Sequence, residues 1–150
     1  MRLLSCVTSA HTTVSGYHKA DRPHRLLLAD GDTVRLHAEP RLTLHVTEQD
    51  RVNQGPDGWS VKLLGYLYGV EYEGRELVAY HWHPRGESSI TTPHMHVGAN
   101  VQVGDRWLAK VHLPTGIVGL EQVLALAITE LGAKPLRDDW ERLIADAAAR

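Results

Sequence analysis

"WSVKLLGYLYGVEYEGRELVAYHWH", Trp59 to His83, decides the fold. Trp59–Tyr72 is rich in Val and Tyr, which fit a pleated, half-buried surface, and reads as one long strand. Gly65 and Gly69 inside it predict a bulge or bend. Glu73-Gly74 makes a tight turn, and "RELVAYHWH" (Arg75 to His83) returns as the partner strand. The centre of the protein is therefore an antiparallel hairpin.

Working outward, "RLTLHV" (Arg41 to Val46) alternates cleanly. Leu42, Leu44 and Val46 are expected to face the core, with Arg41, Thr43 and His45 outward. "RLLLADGDTVRLH" (Arg25 to His37) reads as a hairpin turning at Asp30-Gly31-Asp32. "NQGPDG" (Asn53 to Gly58) reads as a loop. "HMHVGANVQVG" and "RWLAKVHL" give further strands around Gly104-Asp105. Then the period changes. Leu120, Val123, Leu124, Ala127, Ile128 and Leu131 form one apolar helical stripe, preceded by Pro114-Thr115-Gly116 and closed by Gly132 and Pro135. A second helix is expected from Leu136, with Leu136, Trp140, Leu143, Ile144 and Ala147 on one face and Asp138 and Asp139 in its first turn. The fold expected is α+β: an antiparallel sheet of about 5–7 strands packed by two C-terminal helices. It forms a single domain over 1–150, mostly β over 1–112 and helical over 114–150.

A chain of 150 residues can bury most of its apolar surface without staples. Its formal charge of −2 argues against a dedicated basic DNA-binding domain but leaves room for an RNA held locally. The single cysteine, Cys6, allows no intramolecular disulfide and reads as a small core residue in a cytoplasmic protein. No apolar run approaches the ~20 residues of a membrane span. Oligomeric state leaves no mark in the sequence.

The chemistry concentrates in "HWHPRGESSITTPHMH", His81 to His96, which holds four of the ten histidines. Strand alternation places Leu77, Ala79, His81 and His83 on one face and Val78, Tyr80 and Trp82 on the other. His94 and His96 likewise share a face, opposite Met95 and Val97. If the two segments pair, all four imidazoles lie together, with Trp82 and Met95 turned toward the core. Three readings follow. The first is a divalent transition-metal site (Zn, Mn, Fe or Ni) with His81, His83, His94, His96 and Glu87 as candidate ligands. The second is metal-free acid–base catalysis by His81, His94 and His96, with Arg85 or Arg75 holding a phosphate. The third is an exposed strand pair whose polar side carries histidine.

Two resemblances enter on these residues. "HWHPRGE" is similar to the first cupin motif, His-x-His-x3-Glu, at His81, His83 and Glu87. That resemblance implies a small metalloenzyme, although Gly119 stands where the second motif has histidine. The order long strand, Gly74 turn, return strand ending at Tyr80, loop, His94-x-His96 and helix from Leu120 resembles the TumE-type toxins of bacterial toxin–antitoxin modules over Trp59–Gly132. In that family the Tyr is followed by Asp-Asn; here His81-Trp82 stands in its place. The resemblance implies a toxin-like, RNA-cleaving protein with a cognate protein partner. Its rival is a non-catalytic metal-binding or antitoxin-like interaction protein.

Several lesser features have simpler readings. His11-Thr12-Thr13 and His45-Val46-Thr47 match the His-x-Thr element of two-histidine phosphoesterases by chance. Tyr66 and Tyr68 pack within their strand rather than stack on bases. Glu71, Glu73 and Glu76 form a solvated group. His112 is a surface histidine unless its strand lies beside the main cluster.

Overall fold

A computed structural model describes residues 2–15, 22–28, 31–38, 41–86, 88–99, 102–103, 106–108 and 111–149. Glu87, Asp30 and the Gly104-Asp105 turn, all singled out above, lie outside the described residues.

The predicted central hairpin forms as strands β5 (Gly58–Tyr72) and β6 (Arg75–Trp82). Its turn needs positive φ at both central positions, and Glu73 (48°) and Gly74 (75°) supply them. β5 pairs on its other side with β4 (Leu42–Gly55) along nearly its whole length. The loop expected over Asn53–Gly58 is shorter than the sequence suggests. Asn53, Gln54 and Gly55 continue β4, and only Pro56-Asp57 separate the strands. A Pro-Asp step followed by Gly58 at φ 109° closes the chain tightly enough for pairing to persist to the tip.

β7 (His94–Val97) pairs with β6, and β10 (Leu113–Pro114) pairs with β7. On the far side, β2 (Pro23–Leu28) and β3 (Thr33–Arg35) both pair with β4, and β1 (Thr12–Val14) pairs with β2. The result is an eight-stranded antiparallel sheet in the order β1-β2-β4-β5-β6-β7-β10, with β3 beside β4. The hairpin expected over Arg25–His37 is thus corrected. Among the described residues β2 and β3 share no ladder, only the isolated backbone bridge Leu28–Gly31 between them, and they lie end to end along β4. β4 is long enough to pair both, and Leu28 and Val34 gain burial there. β8 (Gln102–Val103) and β9 (Arg106–Trp107) form a separate two-stranded ribbon, so "RWLAKVHL" is not one strand.

Two bulges adjust the register. Leu64 has no partner between Gln49–Gly65 and Asp50–Leu63. This is the irregularity expected near Gly65. A Cβ on Gly65 would meet the Trp82 carbonyl oxygen at 2.8 Å, so only glycine admits this close approach. Leu77 is extra between Val70–Val78 and Glu71–Glu76. It leaves the face of Ala79 and His81 and packs against the core, correcting its expected position.

One face of the sheet carries the core. Leu42, Leu44, Val46, Tyr66, Tyr68 and Val70 are each at most 1% exposed, as the alternation in β4 and β5 requires. The stacked Tyr66 and Tyr68 rings lie 4.7 Å apart in this core, which removes them as base-stacking platforms. Helix α1 (Leu120–Thr129) covers them with Leu120, Val123, Leu124 and Ala127. Gly132, at φ 82°, ends this segment. Helix α2 (Trp140–Ala148) adds Leu143, Trp140 and Ile144. It begins later than expected. Lys134 donates to His37 and Leu136 to Cys6 through backbone N–H, so 133–136 is an extended tether and Leu136 is exposed. Asp138 and Asp139 therefore precede the helix. Asp139 pairs with Arg137 and Arg142 instead of capping it. Cys6 is fully buried in the same core.

Candidate metal centre

The opposite face of the sheet carries the imidazoles. Cross-strand partners share a face, so the rows Thr47–Leu67–His81–His94 and His45–Gly69–Ala79–His96 lie side by side on it. Their neighbours Trp82 and Met95 turn the other way and pack against the core. The alternation drawn from the sequence holds across the β6–β7 pair. Ring centroids are 5.5 Å apart for His81–His94, 4.7 Å for His81–His96 and 5.2 Å for His94–His96.

His81, His94 and His96 each offer a nitrogen, and the three atoms lie within 4.8 Å of one another. This set can hold a metal ion. Nitrogen donors about 2.1 Å from a tetrahedral ion are about 3.4 Å apart, so modest ring rotations complete the approach. His94 is the deepest of the three, 5% exposed. Its Nδ1 lies 2.8 Å from the Thr92 carbonyl oxygen. A carbonyl only accepts, so Nδ1 carries the hydrogen and Nε2 keeps its lone pair toward the cluster. Burial lowers the pKa of His81 to about 4, helped by His96, His83, His94 and His112; burial, then His112 and His94, lower that of His96. Burial and the crowding keep His81 and His96 neutral, the form that binds metals.

The remaining candidates are placed differently. His83 sits just past β6, its ring edge-on and 5.6 Å from that of His81, outside the three-nitrogen set. Arg85 follows in the exposed turn in which Gly86 N–H donates to the His83 carbonyl. His83 and Arg85 both line a groove beside the cluster. His112, read from the sequence as a surface residue, joins the imidazoles. Its ring is 5.0 Å from His94 and 4.4 Å from His96. The signal was present in "HLP". Pro114 pairs opposite His94, and alternation puts His112 on the face of Pro114. His45, on the same face, pairs with Glu71 at 3.0 Å, so Glu71 is not simply solvated.

Among the described residues, no helix is long and apolar enough to cross a membrane. The chain matches no family model, no curated protein and no solved structure.

Proposed function

We propose that this chain is a metal-dependent hydrolase whose centre is His81, His94 and His96, loaded with a divalent ion of the Zn, Mn, Fe or Ni group. The observation that carries this reading is the convergence of three imidazole nitrogens, one with its tautomer fixed from behind by a backbone carbonyl. Three protein ligands leave a position for water, the arrangement of catalytic rather than structural zinc. Such an ion, when bound, lowers the pKa of its water and supplies hydroxide near neutral pH. The chain's own contribution is positional. The Thr92 carbonyl orients His94 and raises its basicity. The short, paired strands hold His81 opposite His94. His83 and His112 flank the set and are placed to move the proton that hydrolysis transfers from water to the leaving group. Toxin-like RNA cleavage is one reaction within this class.

The test is metal uptake by protein purified without a histidine tag. Apo protein is incubated separately with Zn, Mn, Fe and Ni, then desalted and analysed. One of the four is expected at about one equivalent per chain. His81→Ala or His94→Ala should lower that affinity about 100-fold, whereas His83→Ala should retain the ion. Uptake below about a tenth of an equivalent for all four ions overturns the proposal. Uptake without hydrolysis of any ester or phosphoester assigns the centre to a non-catalytic metal-binding protein.

A further inference from the structure

We infer that the groove beside the histidine centre binds the phosphodiester backbone of a single-stranded nucleic acid. That this strand is the centre's substrate rests on the hydrolase reading above. The groove itself is argued independently.

The groove encloses about 610 Å³ and is lined by Arg25, Arg51, Lys62, His83 and Arg85. Register puts the first three on the histidine side of the sheet. Gln49 and Arg51 continue the row of His45 and Thr47 along β4. Arg25 pairs opposite Gln49, and Lys62 pairs opposite Arg51. Two like charges facing each other across a ladder destabilise the pair unless an anion lies between them. Arg51, Lys62 and Arg85 form no ion pair among the described residues; only Arg25 does, with Asp32 at 2.8 Å. Moreover, the Nε atoms of both Arg25 and Arg51 are buried and have no hydrogen-bond partner. A buried guanidinium N–H without an acceptor is costly, and a phosphate oxygen in the groove satisfies it. The main carboxylates of this half of the sheet, Glu48 and Asp50, line a cavity on the other face and do not compete.

Length decides between a strand and a single phosphate group. Lys62 to Leu67, the residue opposite His81, is roughly 15 Å of β-strand. That span is longer than a single phosphate group and takes more than one phosphate of an extended strand. His83 joins the two sites, since it lines the groove while its ring touches that of His81. A strand tracked by Arg51, Lys62 and Arg25 is thereby led to the histidine centre. The net charge of −2 is compatible with this, because the cations are local to one groove.

The test measures binding of a short fluorescent oligouridine to the full-length, metal-free protein by anisotropy over a salt series. Oligouridine should bind with a clear salt dependence. Arg51→Gln with Lys62→Gln should weaken it at least ~10-fold and reduce the salt slope by about 1.4, roughly 0.7 for each lost phosphate contact. Lys62→Glu, at an exposed site on the hairpin, provides a second variant should the double change disturb folding. Arg142→Gln, on α2, should leave binding unchanged. Metal uptake should be unaltered in every groove variant. Unchanged oligouridine affinity in both Arg51/Lys62 variants overturns the inference. So does competition by uridine monophosphate as effective as by the oligomer, which would assign the groove to a small phosphoester. Loss of metal uptake by wild-type protein with groove binding intact would instead remove only the hydrolase reading.

Discussion

The two faces of the β4–β5–β6 sheet are built from the same strands, one residue out of step, and they do opposite things. One presents Leu44, Val46, Tyr68 and Val70, all nearly inaccessible to water beneath α1. The other presents His45, Thr47, His81, His94 and His96, with Arg51 and Lys62 further along. No helix among the described residues covers this second face with an apolar stripe. A period of two is enough to separate a stabilising surface from a chemical one. The core face draws its energy from burial. The histidine face buries less apolar surface, although His94 (5% exposed) and Ala79 (1%) are covered, and its groups are held in place by the ladder beneath them.

This contrast breaks most sharply in paired truncations. His94→Ala should remove metal affinity by about two orders of magnitude while shifting the melting temperature of apo protein by only a few degrees. Tyr66→Ala should do the reverse. It opens a cavity in the stacked tyrosine pair and orphans the Val118 N–H that donates to the Tyr66 hydroxyl at 3.0 Å. A loss of about 3–5 kcal/mol is expected in urea unfolding, with metal stoichiometry intact in whatever fraction remains folded. Equal stability losses from both variants would show that the faces are not functionally separate.

The next effect is backbone, and it links the faces. The Gly98 N–H donates to the Leu77 carbonyl, and a Cβ on Gly98 would sit 2.0 Å from the Glu76 carbonyl oxygen. Gly98→Ala must push β7 away from β6 at the bulge. A loss of about 2–3 kcal/mol is expected, together with weaker metal binding because His96 lies two residues away. If thermal melting is unchanged, β7 is not pinned here and the histidine spacing has another origin.

What could be read from the sequence follows from how local each signal is. The Trp59–His83 hairpin, the α1 stripe and the shared orientation of His81, His94 and His96 are short-range patterns, and the structure agrees with them. The failures are non-local. Nothing near Arg25–His37 reveals that β4 extends far enough to pair β2 and β3 in succession. Ending that strand at Val46 hid Arg51 from the histidine face. His112 depends on a two-residue strand, whose pairing is too brief to leave a periodic trace. The late start of α2 depends on backbone bonds from Lys134 to His37 and from Leu136 to Cys6, partners far back in the chain. Leu77 moved off its expected face because a bulge adds a residue without changing the composition.

The smallest predicted effect tests both faces with one variable. His81 has its pKa lowered to about 4 by burial among His83, His94, His96 and His112. From about pH 4 to 6.5 the unfolded chain binds more protons there, so this group makes apo protein more stable as pH rises. Asp50, on the core face, behaves oppositely. Burial, then the charge of Glu48 and a hydrogen bond to it, raise its pKa to about 7, against an opposing pull from His24. Here the folded chain binds more protons between about pH 4 and 7, and stability falls as pH rises. Each contribution is on the order of 1 kcal/mol, since both groups keep part of their hydration. In wild-type apo protein the two slopes oppose and the melting temperature should change little across this window. His81→Ala should unmask a fall in stability toward pH 7, and Asp50→Asn should unmask a rise. Because the two groups sit on opposite sides of the sheet and share no partner, the changes in slope of the two single variants should add in the double variant, leaving the rise contributed by His96, whose pKa burial also lowers. A double variant whose slope departs from that sum would mean that protonation on one face is felt on the other, and that the sheet between them is not an insulating layer.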